Sequence, residues 1–435
     1  MITKLNFTDR TIKSYAIRKL TPKECFRLMG VRDNVIGTMQ SSNAQAAERL
    51  PDWKGKGKPE DMAISASQQY KQAGNSIVVD VLAHIYEQLF YPATPKPRPG
   101  AQLSLFDDIE DTLPAMPPTA DKNEEKIFLT TFSGYDSQLM AADVLREWHP
   151  DFRWTCKGWS DIDKYACQMH NLVFPQFADC ALGDITKIDW HEVKRSLDGR
   201  EVDLFTYSSP CQDISQAGKQ MGLQEGSDTR SALLWRVADA VEVLRPKYLL
   251  QENVAALVSQ KFMPDFQKWL DKLSSLGYVS RWARLNAKNY GVPQNRDRVF
   301  CISMRRDVAF DYRFPEPFEL KTRLEDVLEE EVSDRYFLKD DAVSKFLKAN
   351  DSDNALFVQF DLPPTHEASM FLKTWLTLWM QAADGWNMTP ASLQLALYSA
   401  KQKMELSYSV FMDKGVAALC DEFQRLFKEN MERKK

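Results

Sequence analysis

The apolar positions follow two rhythms, separated by a stretch that has neither. From residue 127 onward, short apolar runs at 127–132, 154–159, 202–207, 248–251 and 299–302 alternate with longer amphipathic runs such as 231–244 and 262–276. Short continuous runs predict buried strands and the intervening amphipathic runs predict helices, so this region is expected to form a doubly wound, Rossmann-like α/β sheet. Past about residue 310 the strand rhythm fades, and runs at 370–383 and 415–434 predict a smaller, mainly helical C-terminal domain. Near the other end, Ile77-Val78-Val79 followed by Val81-Leu82-Ala83 fits either a helix or a buried strand. Between these regions lie Pro92, Pro95, Pro97, Pro99, Pro114, Pro117 and Pro118, a density that no regular element accommodates. The expected organisation is a segment over 1–90, a linker over 91–126, a core over 127–310 and a C-terminal domain over 311–435.

Composition narrows the partners. A chain of 435 residues with 44% hydrophobic positions is globular and can bury one large core, or one core with a smaller domain. Its formal net charge of −5 argues against blanket electrostatic binding to nucleic acid. A nucleic-acid site would need a local basic patch, and Arg281, Arg284, Lys288, Arg296 and Arg298 lie close enough in sequence to supply one. Lys54, Lys56 and Lys58, spaced by Gly55 and Gly57, are a second candidate, although such a run is more often a solvated turn. Seven cysteines without a CxxC pair support neither a disulfide framework nor a zinc site. With no apolar leader in the first ten residues and no apolar run of about 20 residues, the expectation is a cytoplasmic protein without a membrane span or metal.

A doubly wound sheet binds its ligand at the carboxyl ends of its strands. After the first strand stands Phe132-Ser133-Gly134-Tyr135-Asp136-Ser137, which lacks the GxGxxG cradle of a dinucleotide. The second strand is followed by two acids, Asp161 and Asp163, suited to the hydroxyls of a ribose, and further on a third, Asp184 in Gly183-Asp184-Ile185, could accept from an adenine amino group. Adenosine without a diphosphate fits S-adenosylmethionine, although acids at strand ends are frequent. The next strand runs into Ser209-Pro210-Cys211-Gln212, which puts a thiol just past a strand end, where either a nucleophile or a small buried apolar residue would serve. Glu252 ends the following strand, and Arg296 and Arg298, two apart on an extended segment, are expected to point the same way. A thiol, an acid and two guanidinium groups thus converge on one sheet edge.

In this order Pro210-Cys211-Gln212, Glu252-Asn253-Val254 and Gln294-x-Arg296-x-Arg298 resemble the motifs of DNA cytosine-5 methyltransferases of bacterial or prophage type. Phe132-Ser133-Gly134 resembles the first cofactor motif and 160–164 the second. The stretch 18–30 is similar to the family's ninth motif, and 70–79, with Asn75 and Ser76, to its tenth. Because those motifs usually close the chain, the resemblance implies a circularly permuted member. It also implies Cys211 as nucleophile toward carbon 6 of a flipped cytosine, Glu252 at ring nitrogen 3, Arg296 at the base carbonyl or lowering the pKa of the thiol, and Arg298 supporting the cleft, the two arginines being exchangeable. Phe132, Ser133, Gly134, Tyr135, Asp161, Ile162, Asp184, Ile185, Asn75 and Ser76 would line the S-adenosylmethionine site. Gln212, Ser215 and Lys219 would belong to a loop closing over the base. The implied substrate is double-stranded DNA, handled by a monomer that is nucleoid-associated when bound and belongs to a restriction-modification setting.

Two features depart from that pattern. Tyr135-Asp136-Ser137 stand where glycines are common, and Asp136 would repel the donor's carboxylate unless its side chain turns away. The region after the eighth motif carries Glu329-Glu330-Glu331 and shows no β-rich recognition module. In the linker, Gln102-Leu103-Ser104-Leu105-Phe106 resembles the pentapeptide by which bacterial proteins dock on the replication sliding clamp; the alternative is a strap onto the enzyme's own core.

Overall fold

A computed structural model of the chain describes residues 2–6, 11–15, 17–40, 64–92, 113–117, 124–210, 233–338, 356–359, 366–385, 408 and 411–425. In chain order the elements are β1 (Ile2–Asn6), β2 (Thr11–Tyr15), α1 (Pro22–Arg27), α2 (Asp33–Gln40), α3 (Ala66–Asn75), α4 (Val79–Phe90) and β3 (Lys126–Thr131). There follow α5 (Ser137–Trp148), β4 (Trp154–Ser160), α6 (Lys164–Val173), α7 (Trp190–Ser196), β5 (Leu204–Tyr207), α8 (Leu234–Leu244) and β6 (Tyr248–Val254). The chain continues through α9 (Met263–Ser275), β7 (Tyr278–Asn286), β8 (Asp297–Arg305), β9 (Leu356–Gln359) and α10 (His366–Gly385). Contacts divide it into two compact units, one of Pro22–Glu329 and one of Met1–Thr21 with Glu330–Lys435. The division therefore falls at Glu329, beyond the expected 310, and the first residues group with the last.

The larger unit is built on a six-stranded sheet in the order β4-β3-β5-β6-β8-β7. Strands β4, β3, β5 and β6 are parallel, whereas β8 runs antiparallel to both β6 and β7. All residues of β3 and β5 are buried, as strands covered on both faces require. Phe128 faces a core shared with α4, α5 and α6, while its neighbours Ile127 and Leu129 face a second core shared with α7, α8 and α9. That is the doubly wound arrangement expected. Strand β7 escaped the sequence reading because Arg281 and Arg284 interrupt its apolar positions, which suits an edge strand that is half exposed.

The run at 77–83 enters helix α4, which packs on β3 through Tyr86 and Phe128, their ring centroids 5.7 Å apart. The helix starts against the turn that ends α1, where the Val79 amide donates to the Met29 carbonyl at 3.0 Å. Gly30 in that turn has φ +75°, and a Cβ there would lie 2.5 Å from the Asp80 carboxylate, so both backbone and space call for glycine.

The smaller unit is not simply helical. It contains an antiparallel sheet in the order β2-β1-β9, together with α10 and a helix over 411–425. Phe371 of α10 is fully buried beside the rings of Trp375, Tyr408 and Phe411. The sequence reading missed the sheet because β1 and β2 lie at the opposite end of the chain from β9.

Candidate active site

The loop after β3 is a strained turn held from beneath. Phe132, Gly134 and Asp136 all have positive φ, at 54°, 59° and 67°. For the two non-glycine residues this costs roughly 1–3 kcal/mol each. Buried bonds hold the loop in place: Ser133 donates through its backbone N–H and its hydroxyl to the Ser160 carbonyl, at 3.0 and 3.1 Å. Asp136 is wholly buried and caps α5, accepting from the Leu139 amide at 3.2 Å and the Thr130 hydroxyl at 2.7 Å. Its carboxylate also lies 3.4 Å from Nε2 of His170, a fully buried ring stacked on Trp159. Asp136 therefore turns inward, and the feared repulsion of a donor carboxylate does not arise. At Gly134 a Cβ would meet nothing within 4 Å, so the turn opens onto free space.

Asp161, at the end of β4, closes that space on one side. Its Oδ2 accepts from the Gly134 amide and its Oδ1 from the Asp163 amide, each at 2.8 Å. Burial raises the Asp161 carboxyl above the ordinary range despite these bonds. Ile162 beside it is a large apolar side chain left 76% exposed. Asp184 caps a 3₁₀ turn through the Thr186 amide at 3.0 Å and holds that residue's hydroxyl at 2.8 Å; Ile185 next to it is buried. The open glycine turn, the acid and the exposed apolar residue fit an adenosine and offer no diphosphate cradle. Asp163 does not join them. It caps α6 and pairs with Lys71 at 2.6 Å, so a ribose role is withdrawn from it.

Across the sheet edge a second cluster forms around β6. Glu252 is almost wholly buried, and Arg298 Nε reaches its Oε1 at 3.1 Å. Burial raises the Glu252 carboxyl, with Arg298 and then Arg296 opposing the rise. The Asn253 side chain donates to the Ser209 carbonyl at 3.3 Å and accepts from the Val254 amide at 2.9 Å. It thereby fixes the strand exit that leads through Pro210 to Cys211. Sequence reasoning assigned no role to Asn253, and its place between Glu252 and a strand-ending turn was the available signal. Cys211, Gln212, Ser215 and Lys219 lie outside the described residues, as do Lys54, Lys56, Lys58 and 102–106.

The two arginines part company. Arg298 pairs with Glu252, whereas Arg296 Nη2 donates to the Gly74 carbonyl at 3.0 Å and the Ser76 carbonyl at 2.6 Å. Gln294 donates to the Leu28 carbonyl at 2.9 Å. The two side chains, expected to leave the strand on the same side, thus engage different partners, and the segment before β8 is pulled toward α3. Asn75 ends that helix, exposed, and Ser76 follows it. The basic patch changes as well, because Arg281 pairs with Asp311 at 3.2 Å and Arg284 with Asp297. Charges already matched by carboxylates attract phosphate weakly.

A doubly wound sheet whose first loop is a glycine turn without a diphosphate cradle places the larger unit among Rossmann-like methyltransferase folds. Residues 2–91 and 146–390 match the family described as C-5 cytosine-specific DNA methylase, and the chain belongs to that family. Among curated relatives, it is similar to the Type II methyltransferase M2.ScrFI of Lactococcus lactis subsp. cremoris, with 48% identity over 37% of this chain and 43% of the relative. It is also similar to the Orphan methyltransferase M.SssI of Spiroplasma monobiae, with 48% identity over 25% of this chain and 29% of that one. The chain spans less than half the length of these relatives. The solved Dnmt2 methyltransferase of S. pombe aligns over 52% of this chain and 67% of its own, with 18% identity and a TM-score of 0.40. Among the described residues no helix is long and apolar enough to cross a membrane, and no group of side chains could hold a metal.

Proposed function

We propose that this chain is a DNA cytosine-5 methyltransferase that attacks carbon 6 of a flipped cytosine with Cys211. The observation that carries the reading is the buried Glu252–Arg298 pair, set beside a strand exit that Asn253 ties down one residue before Pro210-Cys211. A buried carboxyl whose pKa is raised can hold a proton against ring nitrogen 3, which makes carbon 6 electrophilic. The Cys211 thiolate then adds to carbon 6, and carbon 5 becomes nucleophilic. S-adenosylmethionine, when bound, supplies the methyl group as an electrophile. Loss of the carbon-5 proton and expulsion of Cys211 complete the exchange. Gly134, Asp161, Ile162 and Asp184 would hold the donor's adenosine, and Ser133 and Asp136 keep the loop shaped for it. Reaching carbon 6 requires extrusion of the base from the duplex.

Circular permutation is part of the same proposal. Its support is that Ile77, Val78 and Val79 share a core with Phe128, Tyr135 and Leu139, while Gln294 and Arg296 bond the backbone at Leu28, Gly74 and Ser76. Nucleoid association, a cytoplasmic location, a monomeric state and docking on a sliding clamp through Gln102, Leu103, Ser104, Leu105 and Phe106 complete the proposal. For the clamp, titration of wild-type, Leu105→Ala and Phe106→Ala chains decides, and equal binding by all three, or none by wild type, defeats it.

Methyl transfer from labelled donor to DNA and RNA, followed by bisulfite sequencing of the product, tests the main reading. Label in cytosine of DNA and none after Cys211→Ala is expected. Transfer that survives this substitution overturns the mechanism, and transfer to RNA alone overturns the substrate.

A further inference from the structure

Arg296, in the run Gln294-Asn295-Arg296, was expected at the base carbonyl, the thiol or the cleft. Instead the side chains of this run hold the backbone of a segment more than 200 positions earlier, with Gln294 on Leu28 and Arg296 on Gly74 and Ser76. One guanidinium nitrogen, Nη2, donates to both carbonyls, and because its two N–H bonds are held in the guanidinium plane it fixes the turn more tightly than a freely rotating ammonium does. The turn it holds ends α3 and begins α4, so it sits between a helix pinned to Asp163 by Lys71 and one packed on β3.

Tyr135, in the loop after β3, reaches the same turn. Its ring is fully buried edge-on to Phe26, with centroids 5.5 Å apart, in the core that also takes in Ala73, Ile77 and Val78 from either side of that turn. Arg296 also acts on Glu252 through charge, second to Arg298. Arg296 is therefore coupled to the acid of the base site by charge and to the turn by hydrogen bonds.

We propose that Arg296 is a positioning residue for the donor site: by clamping the Gly74 and Ser76 carbonyls it seats that turn against Tyr135 and shapes the loop that receives S-adenosylmethionine. Arg298, two residues on, serves the base through Glu252. The inference rests on the donor reading given above and divides between two sites a pair of arginines that share one strand entry.

The test uses the full chain and begins with calorimetric titration of wild type with S-adenosylhomocysteine, the demethylated product. Absence of binding there overturns the donor reading itself and is distinct from every result that follows. Arg296→Lys keeps the charge and loses the planar, pre-oriented pair of N–H donors on Nη2. It is expected to weaken S-adenosylhomocysteine binding about tenfold, an effect of about 1.4 kcal/mol. In steady-state transfer its donor KM should rise more than its kcat falls, while Arg298→Lys should do the reverse. A fall in kcat that exceeds the rise in donor KM for Arg296→Lys overturns the proposal. If that variant does not fold, Arg296→Gln keeps a side-chain amide donor for one of the two carbonyls and loses the other bond. About threefold weaker product binding is then expected, on the scale of one modest hydrogen bond, and unchanged binding overturns the proposal.

Discussion

The two ends of the sheet edge are stabilised by different means. Around Gly134 the chain relies on backbone shape: three positive φ angles, an open turn, and carboxylates that accept from amides. Around Glu252 it relies on side chains, with a buried acid against a guanidinium and an amide that anchors the neighbouring strand. A site made of backbone tolerates changed side chains as long as the turn survives, which is why Asp136 can stand where a glycine was expected. A site made of paired charges tolerates little, because removal of either member leaves the other buried and uncompensated. Substitutions should therefore act unequally at the two ends.

The largest effect belongs to the thiol. Cys211→Ala should lower methyl transfer by about 10⁴-fold or more, the scale on which loss of a nucleophile acts, while S-adenosylhomocysteine binding stays near wild type. A single-turnover assay and a binding titration on the same preparation separate the two. Loss of both would show that the nucleophile end and the donor end are not independent.

Glu252→Gln comes next, with transfer reduced by about 10²–10³-fold, as expected for a positioned acid. It also carries a pH signature. Burial raises the Glu252 carboxyl, so its protonated form is favoured in the folded chain. Its stabilising contribution is present below the ordinary glutamate range and is lost as pH rises through the raised value. The glutamine variant has no such loss. Its Tm relative to wild type should therefore climb from about pH 4 upward, and a flat difference would mean that Arg298 offsets burial completely. Asn253→Ala is gentler, about fivefold in kcat, because one hydrogen bond to the Ser209 carbonyl is worth about 1 kcal/mol. If kcat does not change, the strand exit is held by other bonds.

Most of the parallel half of the sheet was legible in the sequence, because strands buried on both faces read as continuous apolar runs, as in β3 and β5. The antiparallel edge was not. Arg281 and Arg284 on β7 looked like a phosphate-binding patch, and their partners Asp311 and Asp297 come from elsewhere along the chain. Three-dimensional pairing also hid the separate partners of Arg296 and Arg298, since an alternating period says only that two side chains leave a strand on one side. Asp163 shows the same limit on a smaller scale: a strand-end acid two residues from Asp161 looked equivalent to it, yet it is the cap of the next helix.

That acid gives the smallest expected effect and probes the tolerant end. Asp163 accepts from the Tyr165 amide at 3.0 Å and pairs with Lys71, whose side chain is 54% exposed. Lys71→Ala removes an exposed pair, worth about 0.5 kcal/mol or less once solvent screening is counted. Asp163→Asn keeps a capping side chain and loses the charge, so it should match Lys71→Ala, whereas Asp163→Ala adds the loss of a cap and about 1 kcal/mol more. Desolvation alone would raise the Asp163 carboxyl, but the Lys71 bond and the α6 amides outweigh it and hold the group below the ordinary range. The pair's contribution is therefore present above the usual aspartate range and disappears as pH falls through the lowered value. Thermal melts of the three variants at neutral pH and near pH 3 check both the ranking and the sign. If Lys71→Ala also weakened product binding as much as Arg296→Lys, α3 would be held in place by its charge partner and not by the guanidinium clamp. The tolerant end would then depend on side chains as strictly as the other.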